Sequence, residues 1–351
     1  MSDPDATFLL GSAYGPVGLF DAAADLLREQ ARARGVALVA LSRECRAGVG
    51  VATAVAAECA AVRAAAPRCE RVVATVEDDD AGRARDLLAE LAAVTAGSGL
   101  DGRIDGRLVV ERQDRLAEHR MLAAFRAGRR PPAAADFAHD HAESVRRLQD
   151  LPFVGSVSVR PYELVAAGAV SWIDDALGPA GLGGTLDLRP LVHGPGAATL
   201  VPYRQWRAAG VELAAALLPE LDGAAGAADR ELVLDFLHTS FAAAGDDRPI
   251  DGPARRAIVA RHRQANRDFF SEFGALTGGV PVDSYDDDAA TARLAALVVP
   301  VTVPGPPPVA RARSAARRVT RGMRRRLRRG VSRGAARMIT SPRAGSGRRT
   351  P

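Results

Sequence analysis

Apolar runs of strand length alternate with amphipathic helical patterns over the first 160 residues, and this alternation restricts the fold more than any other feature. Buried parallel strands are almost continuously apolar, and the helix after each strand packs on a face of the sheet. The predicted strands are Thr7–Leu10, Val36–Leu41, Val72–Val76, Leu108–Val110 and Ser156–Val159. The predicted helices are Phe20–Arg34, Ala81–Ala96, Arg115–Arg126 and Asp136–Asp150. The pattern predicts an α/β three-layer sandwich with a central parallel sheet.

Beyond residue 160 the pattern is mostly helical. Helices are predicted at Arg204–Pro219, Asp229–Ala244 and Pro253–Phe273. A proline-rich linker at 301–310 is expected to be stiff and extended. We therefore predict one α/β domain over residues 1–300, the linker, and a basic low-complexity tail over residues 311–351 that is disordered or helical.

Charge is distributed unevenly between the predicted domain and the tail. All 47 basic side chains are arginine, and 15 of them lie in residues 309–351, which contain no acid; residues 1–308 carry a net charge of −10. Apolar residues recur every four positions at Val319, Met323, Leu327 and Val331. A helix with this stripe suits an anionic membrane surface, reached through residues 311–340. A nucleic acid or a merely solubilising tail are the alternatives.

The lack of a recognisable membrane span or secretory signal, together with the cysteine pattern, predicts a cytoplasmic location. No stretch approaches the ~20 apolar residues of a membrane span, and the acidic start does not open a secretory signal. Cys45, Cys59 and Cys69 lack CxxC spacing, so we expect reduced thiols rather than a zinc site or disulfide. The predicted location is cytoplasmic, with peripheral attachment to the inner membrane surface through the tail as an option.

A glycine-rich segment follows the first predicted strand. It reads Gly11-Ser-Ala-Tyr-Gly-Pro-Val-Gly18 and leads into a helix. Backbone N–H groups of such a loop and the start of the next helix can hold a phosphate, usually with one lysine. A strand-to-helix turn that needs glycine for backbone freedom is the alternative.

Charged side chains end three further predicted strands. Arg112 could bind a phosphate bidentately or pair with Asp114 at the surface, and Asp114 could cap the next helix. Arg160 could bind substrate or lie solvated near the same edge. Glu77 could be a general base, whereas Asp78, Asp79 and Asp80 suit an acidic helix start.

Two neighbouring histidines can be considered as metal ligands. His139-Asp140-His141 has only one intervening residue and no third ligand that the sequence identifies. A loop or helix start with exposed imidazoles is the preferred interpretation, and we predict no metal site.

Over residues 7–275, five segments follow one another in the order that is found in one known family. They are Phe8–Gly11 with the helix to Arg34-Gly35-Val36, Thr75-Val76-Glu77, Val109–Asp114, Val159–Glu163 and Asn266-Arg267. In order and spacing they resemble the bacterial sulfotransferases that use phosphoadenosine phosphosulfate (PAPS). The resemblance implies a P-loop sulfotransferase-like fold.

The resemblance also implies roles for individual residues. PAPS, or its product adenosine 3′,5′-bisphosphate (PAP), would bind at the loop, through Gly11, Ser12, Tyr14, Gly15 and Gly18. Arg112 would bind the 3′-phosphate, and the family's serine for that phosphate falls near His119. Glu77 would be the catalytic base and Arg160 would bind the substrate, a glycan or lipid hydroxyl.

This chain departs from the family pattern at the positions of the loop that would bind the donor. Tyr14 replaces the loop lysine, Pro16 removes an N–H donor, and Val17 and Gly18 remove two hydroxyls. Losing one transition-state donor typically costs ~3–4 kcal/mol. The sequence therefore favours a sulfotransferase-like binding or scaffold protein with a degenerate active site and no certain cofactor. An active PAPS-dependent transferase is the alternative.

Overall fold

Five parallel strands form the centre of the structure. The computed structural model describes residues 6–12, 15–78, 81–97, 103–130, 133–193, 208–217, 233, 249–276 and 285. The strands are β1 (Ala6–Gly11), β2 (Val36–Val39), β3 (Arg71–Glu77), β4 (Ile104–Val110) and β5 (Val154–Pro161). Their order in the sheet is β2-β3-β1-β4-β5, and all pairs are parallel. The α/β class and the parallel sheet are as the sequence predicts.

Helices cover both faces of this sheet. They are α1 (Pro16–Arg32), α2 (Leu41–Arg46), α3 (Val51–Ala65), α4 (Ala81–Gly97), α5 (Gln113–Arg126), α6 (His141–Gln149), α7 (Ala169–Leu177), α8 (Arg189–His193), α9 (Ala208–Leu217) and α10 (Gly252–Glu272). Helices α1 and α7 pack on one face, and α4 and α6 pack on the other. The result is consistent with a three-layer sandwich.

Apolar strands and glycines at close contacts explain the packing of the sheet. All six residues of β1 are buried, as are all four of β2. Gly106 of β4 lies against the ring of Phe8, where a Cβ atom would come within 2.5 Å of the ring. Only glycine lets this aromatic ring cover the neighbouring strand. Gly35 has φ +76° between α1 and β2, a conformation that glycine adopts without strain.

Several predicted boundaries need correction. Helix α1 begins at Pro16 rather than Phe20, because proline suits the first helical position. Helix α6 begins at His141 rather than Asp136, and Asp140 caps it by accepting the N–H of Ala142 at 2.8 Å. Helices α2 and α3 were not predicted from the sequence.

The later predictions fall partly outside the described residues. The helix predicted at Arg204–Pro219 is found as α9, and the one at Pro253–Phe273 as α10. The prediction at Asp229–Ala244 lies outside apart from residue 233, and the linker and tail predictions lie outside entirely. The chain divides into two units, Met1–Val303 and Pro304–Pro351. None of the helices within the described ranges has both the length and the apolar character to cross a bilayer.

Candidate functional site

The carboxyl ends of the strands meet along one edge and bring the predicted site residues near one another. Gly11 pairs in register with Glu77, and Val109 pairs with Arg160. The backbone N–H of Asp78 donates to the carbonyl of Gly11 at 2.9 Å. Ligands of open α/β sheets bind at such an edge, so these residues stand where a site is expected.

Two N–H groups of the glycine-rich loop are bonded within the loop itself. The N–H groups of Gly15 and Val17 both point at the carbonyl of Ser12, at 3.4 and 3.2 Å. Pro16, the first residue of α1, has no N–H, and Gly18 already lies within the helix. Tyr14 lies outside the described residues. The described part of the loop is therefore a strand-to-helix turn that offers few N–H groups to a ligand.

A buried polar cluster lies directly behind this loop. Ser12 donates its hydroxyl to Glu111 Oε2. His119 Nδ1 lies 3.0 Å from Ser12 Oγ, 3.2 Å from Glu111 Oε2 and 3.0 Å from Glu111 Oε1. All three side chains are buried. The loop and α5 are thus joined by the polar cluster Ser12–Glu111–His119.

The geometry of the polar cluster differs from that of a catalytic triad. A triad histidine uses one ring nitrogen towards the serine and the other towards the carboxylate. Here Ser12 and Glu111 both meet the same nitrogen of His119, so no relay runs through the ring. Burial also keeps the Ser12 hydroxyl from a substrate. Glu111 went unrecognised from sequence because it is one residue beyond an apolar strand and next to Arg112.

The polar cluster does not fit a phosphate-bearing donor. A Cβ atom on Gly15 would lie 2.5 Å from Glu111 Oε1 and 2.8 Å from the His119 ring. The carboxyl group therefore packs against the backbone of the predicted phosphate loop. A carboxylate so close to the loop backbone would repel a phosphate bound at the loop.

Arg112, the predicted 3′-phosphate ligand, is engaged by Asp114. Its Nε and Nη2 atoms donate to the two carboxylate oxygens at 2.7 and 3.0 Å. Arg255 of α10 donates to the same carboxylate at 3.0 Å. Burial acts to raise the pKa of Asp114, but the Arg112 hydrogen bond and the arginine charges outweigh it and hold that pKa below its usual value.

Two expectations about this pair need correction. The pairing alternative placed both side chains at the surface, yet they are buried. The sequence also allowed Asp114 to cap α5, yet the N-cap residue is Arg112 and no side-chain hydrogen bond caps the helix. The N–H of Arg112 instead donates to Glu163 Oε1 at 2.8 Å. Burial of Glu163 raises the pKa of its carboxyl group.

Glu77, the predicted base, lies at the end of β3 between two arginines. Arg126 Nη2 donates to it at 2.7 Å, and Arg46 forms a second ion pair. The N–H of Glu77 donates to Ser42 Oγ at 2.8 Å. A cavity of about 250 Å³, which we name the arginine cavity, lies here; its polar lining residues are Ser42, Arg46, Glu77, Arg83, Arg126 and Arg129.

Arg160, the predicted substrate ligand, pairs with α7. Its Nε and Nη2 atoms donate to the two carboxylate oxygens of Asp175 at 3.0 and 2.7 Å. Arg107 donates to the backbone carbonyl of Asp175 at 2.7 Å. These bonds fasten α7 to the sheet, and they leave Arg160 partly exposed with its carboxylate partner.

The two predicted exposed histidines differ from expectation. His141 is buried, and burial lowers the pKa of its ring to about 4. His139 is half-buried, and burial together with neighbouring positive charge holds its pKa well below the usual value. Within the described ranges, no group of three or more His, Cys, Asp or Glu side chains is arranged to hold a metal ion.

A second cavity opens where β3 ends, and sequence reasoning missed it. Its volume is about 460 Å³, and its charged and imidazole lining comprises Asp78, Arg120, His139, Asp140, Glu143, Arg147 and His262. Burial raises the pKa of Asp78. From the sequence, Asp78 was assigned to an acidic helix start together with its neighbours, because a run of three aspartates does not show which one is buried.

Comparisons with models of protein families, with curated proteins and with solved structures found no match for the chain.

Proposed function

We propose that this chain is a sulfotransferase-like binding or scaffold protein that has lost the chemistry of a PAPS donor. The α/β fold and the order of the five resembling segments support the sulfotransferase-like architecture. The state of the residues at the donor position supports the loss of chemistry.

One observation carries the proposal: the guanidinium of Arg112 is bound by both oxygens of a buried carboxylate. A 3′-phosphate would have to displace Asp114, which also binds Arg255. Displacement would leave the carboxylate buried beside an incoming phosphate. Two negative groups buried side by side are strongly unfavourable.

The loop gives independent support. The N–H groups of Gly15 and Val17 are spent on the carbonyl of Ser12, and Glu111 packs against Gly15 where a phosphate would need positive charge. In the family pattern a lysine neutralises this position, whereas Tyr14 stands there in this chain.

An active PAPS-dependent sulfotransferase remains the second candidate, favoured by the position of Glu77. This carboxylate ends β3 beside the end of β1 and lines the arginine cavity. A base at that place would accept the proton of a glycan or lipid hydroxyl. The two arginines that bind Glu77 make the site crowded for this role.

Calorimetry with adenosine 3′,5′-bisphosphate separates the two candidates. The proposal expects the bisphosphate to bind no more tightly than inorganic phosphate does at equal ionic strength. A donor site recognises both phosphates and the adenosine, so it would bind the bisphosphate at least ~100-fold more tightly. Such a preference would overturn the loss of donor chemistry.

A further inference from the structure

Arginines dominate the lining of the arginine cavity. Among the residues that the structure describes, four arginines and one glutamate line it, and the formal charges of these five sum to +3. The arginines come from separate elements: Arg46 from the last turn of α2, Arg83 from the first turn of α4, and Arg126 from the last turn of α5, with Arg129 three residues later. Guanidinium groups that converge from several elements form a fork-like lining that suits oxyanions.

Glu77 engages only part of this lining. It pairs with Arg46 and Arg126, whose side chains are 28% and 13% exposed. Arg83 and Arg129 are exposed and line the same cavity. Glu77 thus orients two of the four arginines that the structure describes in this lining.

Ser42 adds a directional donor at the base of the cavity. The side chain is buried, and its oxygen accepts the N–H of Glu77 at 2.8 Å. The structure gives no acceptor for its hydroxyl hydrogen among the described residues. A serine hydroxyl can donate while it accepts, so Ser42 can donate to an anion in the cavity.

The size of the cavity limits what it can hold. Sites for drug-sized ligands usually measure ~300–1,000 Å³, and this cavity measures about 250 Å³. The volume suits one anionic group with a small attached moiety better than a whole nucleotide.

We propose that the arginine cavity binds a tetrahedral oxyanion, a phosphate or sulfate group carried by a small ligand. Arg46, Arg83, Arg126 and Arg129 supply the charge, and Ser42 supplies a hydroxyl donor. Glu77 competes with the anion for two of the arginines and holds them in place in its absence. The inference names a ligand class for the binding role proposed above and rests on that role, although the cavity lies apart from the Arg112 site.

The test measures binding of inorganic phosphate, inorganic sulfate and a hexose 6-phosphate to the full-length protein by calorimetry at constant ionic strength. We expect phosphate and sulfate to bind, with acetate at least ~10-fold weaker because it lacks the third oxygen for the fork-like lining. Tighter binding of the hexose phosphate than of free phosphate would identify an ester as the ligand. Failure of all three tetrahedral anions to bind would overturn the inference.

Variants locate the binding. Arg83→Gln with Arg129→Gln leaves both ion pairs of Glu77 intact, and it should raise the phosphate dissociation constant ~10-fold or more. Arg63→Gln, on the exposed face of α3, is the matched control and should change nothing. Glu77→Gln should tighten phosphate binding because it removes the competing carboxylate. Unchanged binding in the double variant, or weaker binding in Glu77→Gln, contradicts the inference.

The outcomes for the two proposals are separable. Loss of donor chemistry fails if adenosine 3′,5′-bisphosphate binds far more tightly than phosphate and the Arg83/Arg129 variant binds it equally well. The anion inference fails if phosphate, sulfate and the hexose phosphate do not bind, whatever the bisphosphate does. Bisphosphate binding that disappears in the Arg83/Arg129 variant reports the arginine cavity and supports the inference.

Discussion

Asp114 holds Arg112 through both of its carboxylate oxygens, at 2.7 and 3.0 Å, and both side chains are buried. A buried ion pair contributes little net stability compared with an apolar pair, but breaking it exposes the cost of one unpaired charge. This asymmetry makes the pair a sensitive point of the fold.

Replacing Asp114 alone should therefore be costly. We expect Asp114→Asn to lower the free energy of unfolding by about 3–5 kcal/mol, because Arg112 keeps its charge in a buried position. Urea denaturation gives the value. Glu272→Gln breaks the exposed pair with Arg146 and serves as control, with a loss below ~1 kcal/mol.

The double replacement Arg112→Met with Asp114→Leu provides the contrary test. It should cost less than Asp114→Asn, since neither position keeps a buried charge and Arg255, which also loses Asp114, is partly exposed. If the single change is harmless, the pair is not the buried unit described above, and Arg112 regains its place as a candidate phosphate ligand.

The contacts of Arg112 could not be predicted from the sequence. From the sequence, phosphate binding by Arg112 and its pairing with Asp114 were equally open. The burial of both side chains in the structure favours the ion pair. Arg255, which completes the contact, lies 141 positions away along the chain. No local pattern reveals that α10 lies against the start of α5.

The sheet was predictable for the opposite reason. Each of its strands is a short apolar run whose signal is local, and parallel order follows from the intervening helices. Helices α2 and α3 were missed because the segment from Leu41 to Ala65 is rich in alanine and gives weak periodicity. The polar cluster was missed because Ser12 and His119 are 107 positions apart.

Asp21 gives the fold a pH dependence. This α1 residue is buried against β3 and accepts the hydroxyl of Thr75 at 2.5 Å. Burial raises its pKa from 3.8 to about 6, although the Thr75 bond and the charge of Arg43 act in the opposite direction. Between these values the folded state keeps a proton that the unfolded state releases. Its contribution to stability therefore falls as the pH rises from about 4 to about 6 and stays low above that.

Asp21→Asn should remove this pH dependence. The amide oxygen can still accept from Thr75, and no charge must be buried. We expect the variant to be more stable than the parent by about 1–3 kcal/mol at pH 7.5, with the difference vanishing near pH 4. Urea titrations across this range measure it, with Asp86→Asn on the exposed face of α4 as control. Equal stability at pH 7.5 would contradict the burial argument.

Membrane attachment is one of the three roles that the sequence leaves open for the basic tail. Residues 309–351 carry 15 arginines and no acid, so they should bind anionic vesicles and release them as salt rises. Sedimentation with phosphatidylserine vesicles compares the full chain with a chain ending at residue 308. Equal recovery of both forms removes the tail from any tethering role, and neutral vesicles supply the control.

Cys59 and Cys69 form a thiol pair that the sequence did not predict. Their Sγ atoms lie 3.3 Å apart, and the thiol of Cys69 donates to that of Cys59 and lowers its pKa. Cys69 is partly exposed, so an oxidant can reach the pair. A disulfide requires the sulfurs to approach from 3.3 Å to about 2.05 Å.

Treatment with glutathione disulfide should therefore link these two cysteines. The two thiols lose two protons and two electrons, and one glutathione disulfide becomes two glutathiones. Peptide mass spectrometry should find the Cys59–Cys69 cross-link in the parent and in Cys45→Ser. Cys69→Ser should instead retain two free thiols or form a mixed disulfide. Preferential modification of Cys45, with Cys59 and Cys69 left reduced, would show that the approach of their sulfurs has no chemical consequence.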